Sequence, residues 1–271
     1  MKIYREIGTG KITENKECSQ WFSDLIIQYG KEESIENQWK EIVKEKDKNL
    51  RHKKIDAIIE KLEANSTNNG FIQSKVGINI DCWHGFKVDD REIYYIFFKN
   101  LIKNCEELDK MGKTNYDGFV MYVSIRQTLD DYYGKRVENA YKIRKQLTEI
   151  DEDENGCFVV SSIKVLKGQG CAMCAEKASV AHNLWLICGK KSYYISSKTI
   201  KYKGKELSDG HAFCVVENAG KFKVFDAELE NYGPIDFNPI ENVKNNLPIE
   251  IKDKNIDITY VVPVGDEINK D

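Results

Sequence analysis

Apolar positions recur at helical spacing through the first half of the chain and at strand spacing through its last third. Trp21, Phe22, Leu25, Ile26 and Tyr29 share one helical face, and Gly30 follows as a stop. Ile35, Trp39, Ile42 and Val43 form a second stripe. Ile55, Ile58, Ile59 and Leu62 form a third, ended by the polar run 65–70. Val76, Ile78, Ile80 and Cys82 alternate, which predicts a short strand. Asp89 and Asp90 mark a helix start, with Ile93, Phe97, Leu101, Cys105 and Leu108 on one face and Gly112 beyond its end. The run from Phe119 to Ile125 suits strand or helix equally, because short apolar runs carry no period. After Gly134, Val137, Ala140, Tyr141, Ile143 and Leu147 predict another helix, and 150–156 a charged loop.

A second apolar stretch, Cys157 to Leu166, leads into the turn Gly168-Gln-Gly170 and two cysteines, Cys171 and Cys174. Ala178, Ala181, Leu184, Trp185 and Cys188 then outline a helix. Beyond it the texture changes to strands: 193–195, 211–217, 221–226 and 256–262. Asn218-Ala-Gly220 is a hairpin connection, and Pro263 closes the last strand. The expected fold class is α+β: a mostly helical region over 1–130, which either shapes access to a site or recruits a partner, then a core over 131–271 in which the helix after the cysteines is followed by antiparallel strands.

Composition narrows the partners. Of 271 residues, 41 are basic and 44 acidic, finely interspersed for a net charge of −3, which gives no electrostatic case for nucleic acid or an anionic membrane. The N-terminus shows no apolar signal region, and no apolar run approaches membrane-spanning length. Eight cysteines are scattered through helix-like and strand-like segments, so reduced thiols and a cytoplasmic setting are expected.

A cysteine where a loop becomes a helix sits near unpaired N–H groups and the positive end of the helix dipole, and both favour thiolate. Acyl-transfer chemistry also needs a histidine to carry the proton and a third group to orient it. The histidines are at 52, 84, 182 and 211. His182 shares the helix of Cys174 and stands about 12 Å further along it, beyond hydrogen-bond reach. His52 lies in a charged, solvated stretch, and Cys82-x-His84 reads as a packed turn. His211 opens one strand of the expected hairpin and Asp226 closes the other, so antiparallel pairing makes them neighbours.

These residues resemble a family. Cys174-Ala-Glu-Lys-Ala178, with Leu184 and Gly189, is similar to the transglutaminase-like pattern, and His211-Ala-Phe followed by Asp226-Ala is similar to that family's histidine strand and aspartate. Gln169-Gly170 ahead of the cysteines resembles the entry of the related papain-like peptidases, one residue short. Ala172 stands where the family has Gly, Phe213 where it has Trp, and Lys190-Lys-Ser-Tyr-Tyr194 replaces a small-Arg segment. The resemblance spans roughly residues 135–265. It implies a nucleophile helix packed on an antiparallel β-sheet, with Cys174 as nucleophile, His211 as general base and acid, and Asp226 as orienting group. Backbone N–H groups at the helix start would hold the oxyanion, with Gln169 as a candidate helper.

The expected function is thiol-dependent cleavage of amide bonds in a peptide or protein, with no cofactor and no metal. The alternatives are a protein transglutaminase, with an amine as acceptor, and an inactive transglutaminase-like binding module. Cys171 is the rival nucleophile. Cys171-x-x-Cys174 also fits half a zinc site completed by His182, Cys188 or Cys214, or a redox pair.

Overall fold

A computed structural model describes residues 3–5, 12–14, 38–65, 71–72, 85–88, 90–113, 118–147, 159–218, 221–228, 242–243, 249–253, 258–262 and 266–268. The helix expected over Trp21–Tyr29, the strand expected over 76–82 and Cys82-x-His84 lie outside them. The described helices are α1 (Trp39–Lys44), α2 (Lys48–Asn65), α3 (Glu92–Lys110), α4 (Gly118–Tyr133), α5 (Ala140–Leu147) and α6 (Cys174–Ile187). The strands are β1 (Ile3–Arg5), β2 (Ile12–Glu14), β3 (Phe71–Ile72), β4 (Gly85–Lys87), β5 (Val159–Ser162), β6 (Lys191–Tyr202), β7 (Lys205–Asn218), β8 (Lys221–Phe225), β9 (Asn242–Val243), β10 (Ile249–Asp253), β11 (Ile258–Val262) and β12 (Asp266–Ile268). The fold is α+β.

The undecided run Phe119–Ile125 is helical, as part of α4. Its Met121, Ile125, Leu129 and Tyr132 are buried at four- and three-residue intervals, a stripe that becomes readable only when the window extends past 125. The described part of the stretch Cys157 to Leu166, residues 159–166, divides into β5 and a single 3-10 turn, Ile163–Leu166, that buries Ile163 and Leu166.

Beside its helices, the region 1–130 holds four short strands, β1 to β4; β1 pairs with β12, and β4 pairs in parallel with β5. Those strands are two or three residues long, too short to show an alternation. The expected boundary at 130/131 falls inside α4, and one buried cluster runs from Trp39 to Ile258 across it.

The main sheet has six strands in the order β8-β7-β6-β11-β10-β9, every pair antiparallel. Helix α6 packs on β6 and β7. Its Trp185 ring meets Phe225 of β8 edge-on at 5.7 Å, and all of Ala212–Val216 in β7 are buried. The helix ends at Gly189, whose φ of +70° is the left-handed value that glycine takes at no steric cost. Gly189 N–H donates to Leu186 O (2.9 Å) and Lys190 N–H to Trp185 O (3.1 Å), the paired bonds that satisfy a helix's last carbonyls.

Candidate active site

The cysteine turn is docked onto the end of α4. Gly168 N–H donates to Tyr132 O (2.8 Å), Gly170 N–H donates to Tyr133 O (2.7 Å), and Val137 N–H donates back to Gly170 O (3.0 Å). A helix leaves its last carbonyls without partners, so the turn supplies donors where α4 needs them. Gly170 has φ +62°, and a Cβ there would stand 2.0 Å from the carbonyl oxygen of Lys135. No other residue fits without moving backbone.

From this anchor the two cysteines part. Cys171 is fully buried, and burial, reinforced by the Glu176 carboxylate, pushes its thiol up from the ordinary range. Cys174 is half-buried and is the first residue of α6. Glu176 Oε2 accepts the N–H of Met173 (3.2 Å), closing the entry to the helix. That carboxylate is wholly inaccessible and is held by Arg144 of α5. A glutamate three residues after the capping position is a readable signal, but methionine is not a usual capping residue, so the pair was hidden.

The β7–β8 hairpin brings the other two residues together. Its register pairs Cys214 with Phe225 and Asn218 with Lys221, which sets the start of one strand beside the end of the other. His211 Nε2 lies 2.7 Å from Asp226 Oδ2, and both side chains are buried. Asp226 Oδ1 accepts the N–H of Glu228 (2.9 Å), and Arg126 of α4 donates to the Asp226 carbonyl (3.0 Å). Phe213 lies nearly parallel to the His211 ring, at 17° and 6.5 Å between centroids.

Cys174 also acts on the His211 imidazole, favouring its protonated form. Burial alone would depress its pKa. The Asp226 carboxylate, the bond to it and Cys174 together outweigh burial and hold the ring well above the usual 6.5. With Nε2 on Asp226, Nδ1 is the nitrogen left for the thiol. Thiol, imidazole and carboxylate therefore form a chain along which a proton can move.

A ring of charge surrounds this chain. Glu228 pairs with Lys177 of α6 (2.8 Å) and with Arg136 (2.9 Å), whose Nη2 also lies 3.8 Å from Met173 Sδ. Arg126, Arg136, Arg144 and Glu228 carried no local motif; their roles arise from contacts between elements 32 to 100 residues apart.

The remaining candidates sit elsewhere. Gln169 is exposed, and its N–H donates to Leu166 O (3.2 Å). His182 is buried on α6, while His52 is exposed with its ring tilted against Tyr95. Cys214 Sγ donates to Ala178 O (3.2 Å), and burial pushes its thiol strongly up. Cys105, 171, 174, 188 and 214 are all free, and no cluster of three metal-type ligands occurs among the described residues.

No protein-family model matches the chain. Nor does any curated protein. The chemistry is therefore read from the residues and their geometry.

Proposed function

We propose that the chain is a transglutaminase-like cysteine peptidase or amidase that cleaves amide bonds of a peptide or protein through Cys174, His211 and Asp226. One observation carries this reading: a buried imidazole stands 2.7 Å from a carboxylate, and its pKa is raised by that carboxylate and by a helix-start thiol.

The Cys174 thiol gives its proton to His211, Sγ attacks the amide carbonyl carbon, and the carbonyl electrons move onto oxygen. The N–H groups of the first turn of α6, which have no helical carbonyl to bind, stabilise that oxyanion. His211 gives a proton to the amide nitrogen, the C–N bond breaks and the amine leaves a thioester on Cys174. Water then attacks the thioester while His211 takes its proton, and the thiol is regenerated as the acid departs. Asp226 fixes the ring so that Nδ1 faces sulfur and balances the imidazolium charge. An amine in place of water would give transamidation by the same thioester.

Alkylation by iodoacetamide, mapped by mass spectrometry, tests the assignment. Cys174 is expected to react first among the eight thiols, and more slowly in His211→Ala. Cys174→Ala is expected to lower peptide cleavage by about 10⁴-fold or more with the thermal midpoint unchanged. Fastest labelling of Cys171, or cleavage that survives Cys174→Ala, would overturn the reading. Slow labelling of all thiols alike would point to a binding module.

A further inference from the structure

Glu228 stands where the supports of the site meet. It lies just past the end of β8, and its N–H donates to Oδ1 of Asp226 (2.9 Å). That bond ties its backbone to the carboxylate that holds His211 at 2.7 Å. Its side chain reaches the residues that carry the thiol.

On one side, Glu228 Oε1 lies 2.8 Å from Lys177 Nζ, and Lys177 follows Cys174 by three residues on α6. Residues at that interval share a helix face, so ammonium and thiol project from the same side of α6. On the other side, Glu228 Oε2 accepts from Arg136 Nη1 (2.9 Å). Arg136 belongs to the segment on which the cysteine turn is seated. Its neighbour Val137 donates an N–H to Gly170 O (3.0 Å), and Lys135 O leaves no room for a Cβ at Gly170. Arg136 Nη2 also lies 3.8 Å from Sδ of Met173, the residue before the nucleophile.

The Glu228 side chain is 14% exposed and that of Lys177 12%, against 58% for Arg136. A carboxylate so far withdrawn from water needs compensating charge, and the ammonium and guanidinium supply it. The Lys177 contact is not aligned as a hydrogen bond, so it holds by charge. The Arg136 contact is aligned as one and supplies the direction.

We propose, resting on the catalytic reading above, that Glu228 is a positioning residue: a bridge that sets the Asp226–His211 pair at a fixed distance from the Cys174 thiol. The hairpin register places His211 beside Asp226 but does not reach α6. Glu228 joins the two, binding Asp226 through its backbone and bracing both supports of Cys174 through its side chain. Displacement of a reacting group by about 1 Å can cost about 100-fold in rate, so a bridge of this kind matters to chemistry and not only to folding.

The rate at which iodoacetamide alkylates Cys174 in the full chain, with the His211 imidazole resonance followed by NMR, tests the proposal. Glu228→Gln keeps the shape and removes the charge. It is expected to slow alkylation about tenfold or more in a protein that circular dichroism shows to be folded. The His211 resonance is expected to persist, since the hairpin is untouched. The shift that it undergoes when Cys174 is alkylated is expected to shrink, which a purely structural role would not produce. Lys177→Met breaks the same bridge from its other end and is read in place of Glu228→Gln should that variant not fold. The double variant is expected to match the slower single one within about twofold. Alkylation at the native rate in Glu228→Gln overturns the proposal, as do effects of the two variants that simply multiply. His211→Ala separates this failure from that of the catalytic reading. Slow alkylation there with a native rate in Glu228→Gln removes the bridge alone. Native rates in both remove the pairing of Cys174 with His211, and the bridge with it.

Discussion

The two halves of the site are held in place by different means. His211 and Asp226 stand 15 residues apart, and one hairpin register is enough to bring them together. Cys174 depends on long-range contacts. Its turn hangs on the carbonyls of Tyr132 and Tyr133, and the first turn of its helix is tied down by Arg144 through Glu176. The first half is local and self-registering; the second is assembled from elements that must already be folded. Damage to the long-range contacts should therefore displace the thiol while leaving the histidine and its carboxylate paired.

The largest effect is expected where a charge would be stranded. Arg144→Leu leaves Glu176 as a buried carboxylate whose remaining hydrogen-bond partner, among the described residues, is the Met173 N–H. Removing one partner of a buried pair costs about 3–5 kcal/mol, whereas replacing both by apolar groups is often nearly neutral. Denaturant unfolding should show that loss in Arg144→Leu and recovery of most of it in Arg144→Leu/Glu176→Leu. If the double variant is as unstable as the single one, the pair is not what holds the helix entry.

A smaller effect is expected at the anchor of the turn. Gly170→Ala places a methyl group in a left-handed backbone and within 2.0 Å of Lys135 O. The conformational term alone costs about 1–2 kcal/mol, and backbone displacement adds to it. Chemical denaturation should therefore give a loss of at least about 2 kcal/mol, accompanied by slower alkylation of Cys174. The imidazole proton resonance of His211 should persist, because the hairpin does not depend on the turn. Its disappearance would show that the two halves fold as one unit.

How far each half could be read from the sequence follows from the same difference. The hairpin was legible because two residues separate Asn218 from Lys221, which fixes which residues face each other from local information. The helix at Cys174–Ile187 was legible from its apolar spacing and its closing glycine. The docking of Gly168 and Gly170 on α4 was not, since backbone carbonyls carry no sequence signature. Arg126, which reaches the Asp226 carbonyl across 100 residues, gave no signal for the same reason. The short strands β1 to β4 escaped because two or three residues cannot display a period, and they are set by tertiary pairing.

The finest test changes one charge and no shape. Asp226→Asn keeps an oxygen that can accept from His211 Nε2 and removes the carboxylate that raises the ring's pKa. In the native protein that pKa lies well above the ordinary 6.5, so the imidazolium–carboxylate pair contributes its full stability below about pH 6.5 and loses it as pH climbs through the raised folded value. The unfolding free energies of the two proteins should accordingly differ most at and below pH 6.5 and converge on the alkaline side. The proposed cleavage, if it uses a protonated His211, should fall at a lower pH in Asp226→Asn than in the native protein. Because the hairpin register is backbone-determined, the ring should stay in place and only its titration should move. An alkaline limb that does not shift would mean that Asp226 positions the ring without setting its charge, and the local half of the site would then be held by hydrogen bonding alone.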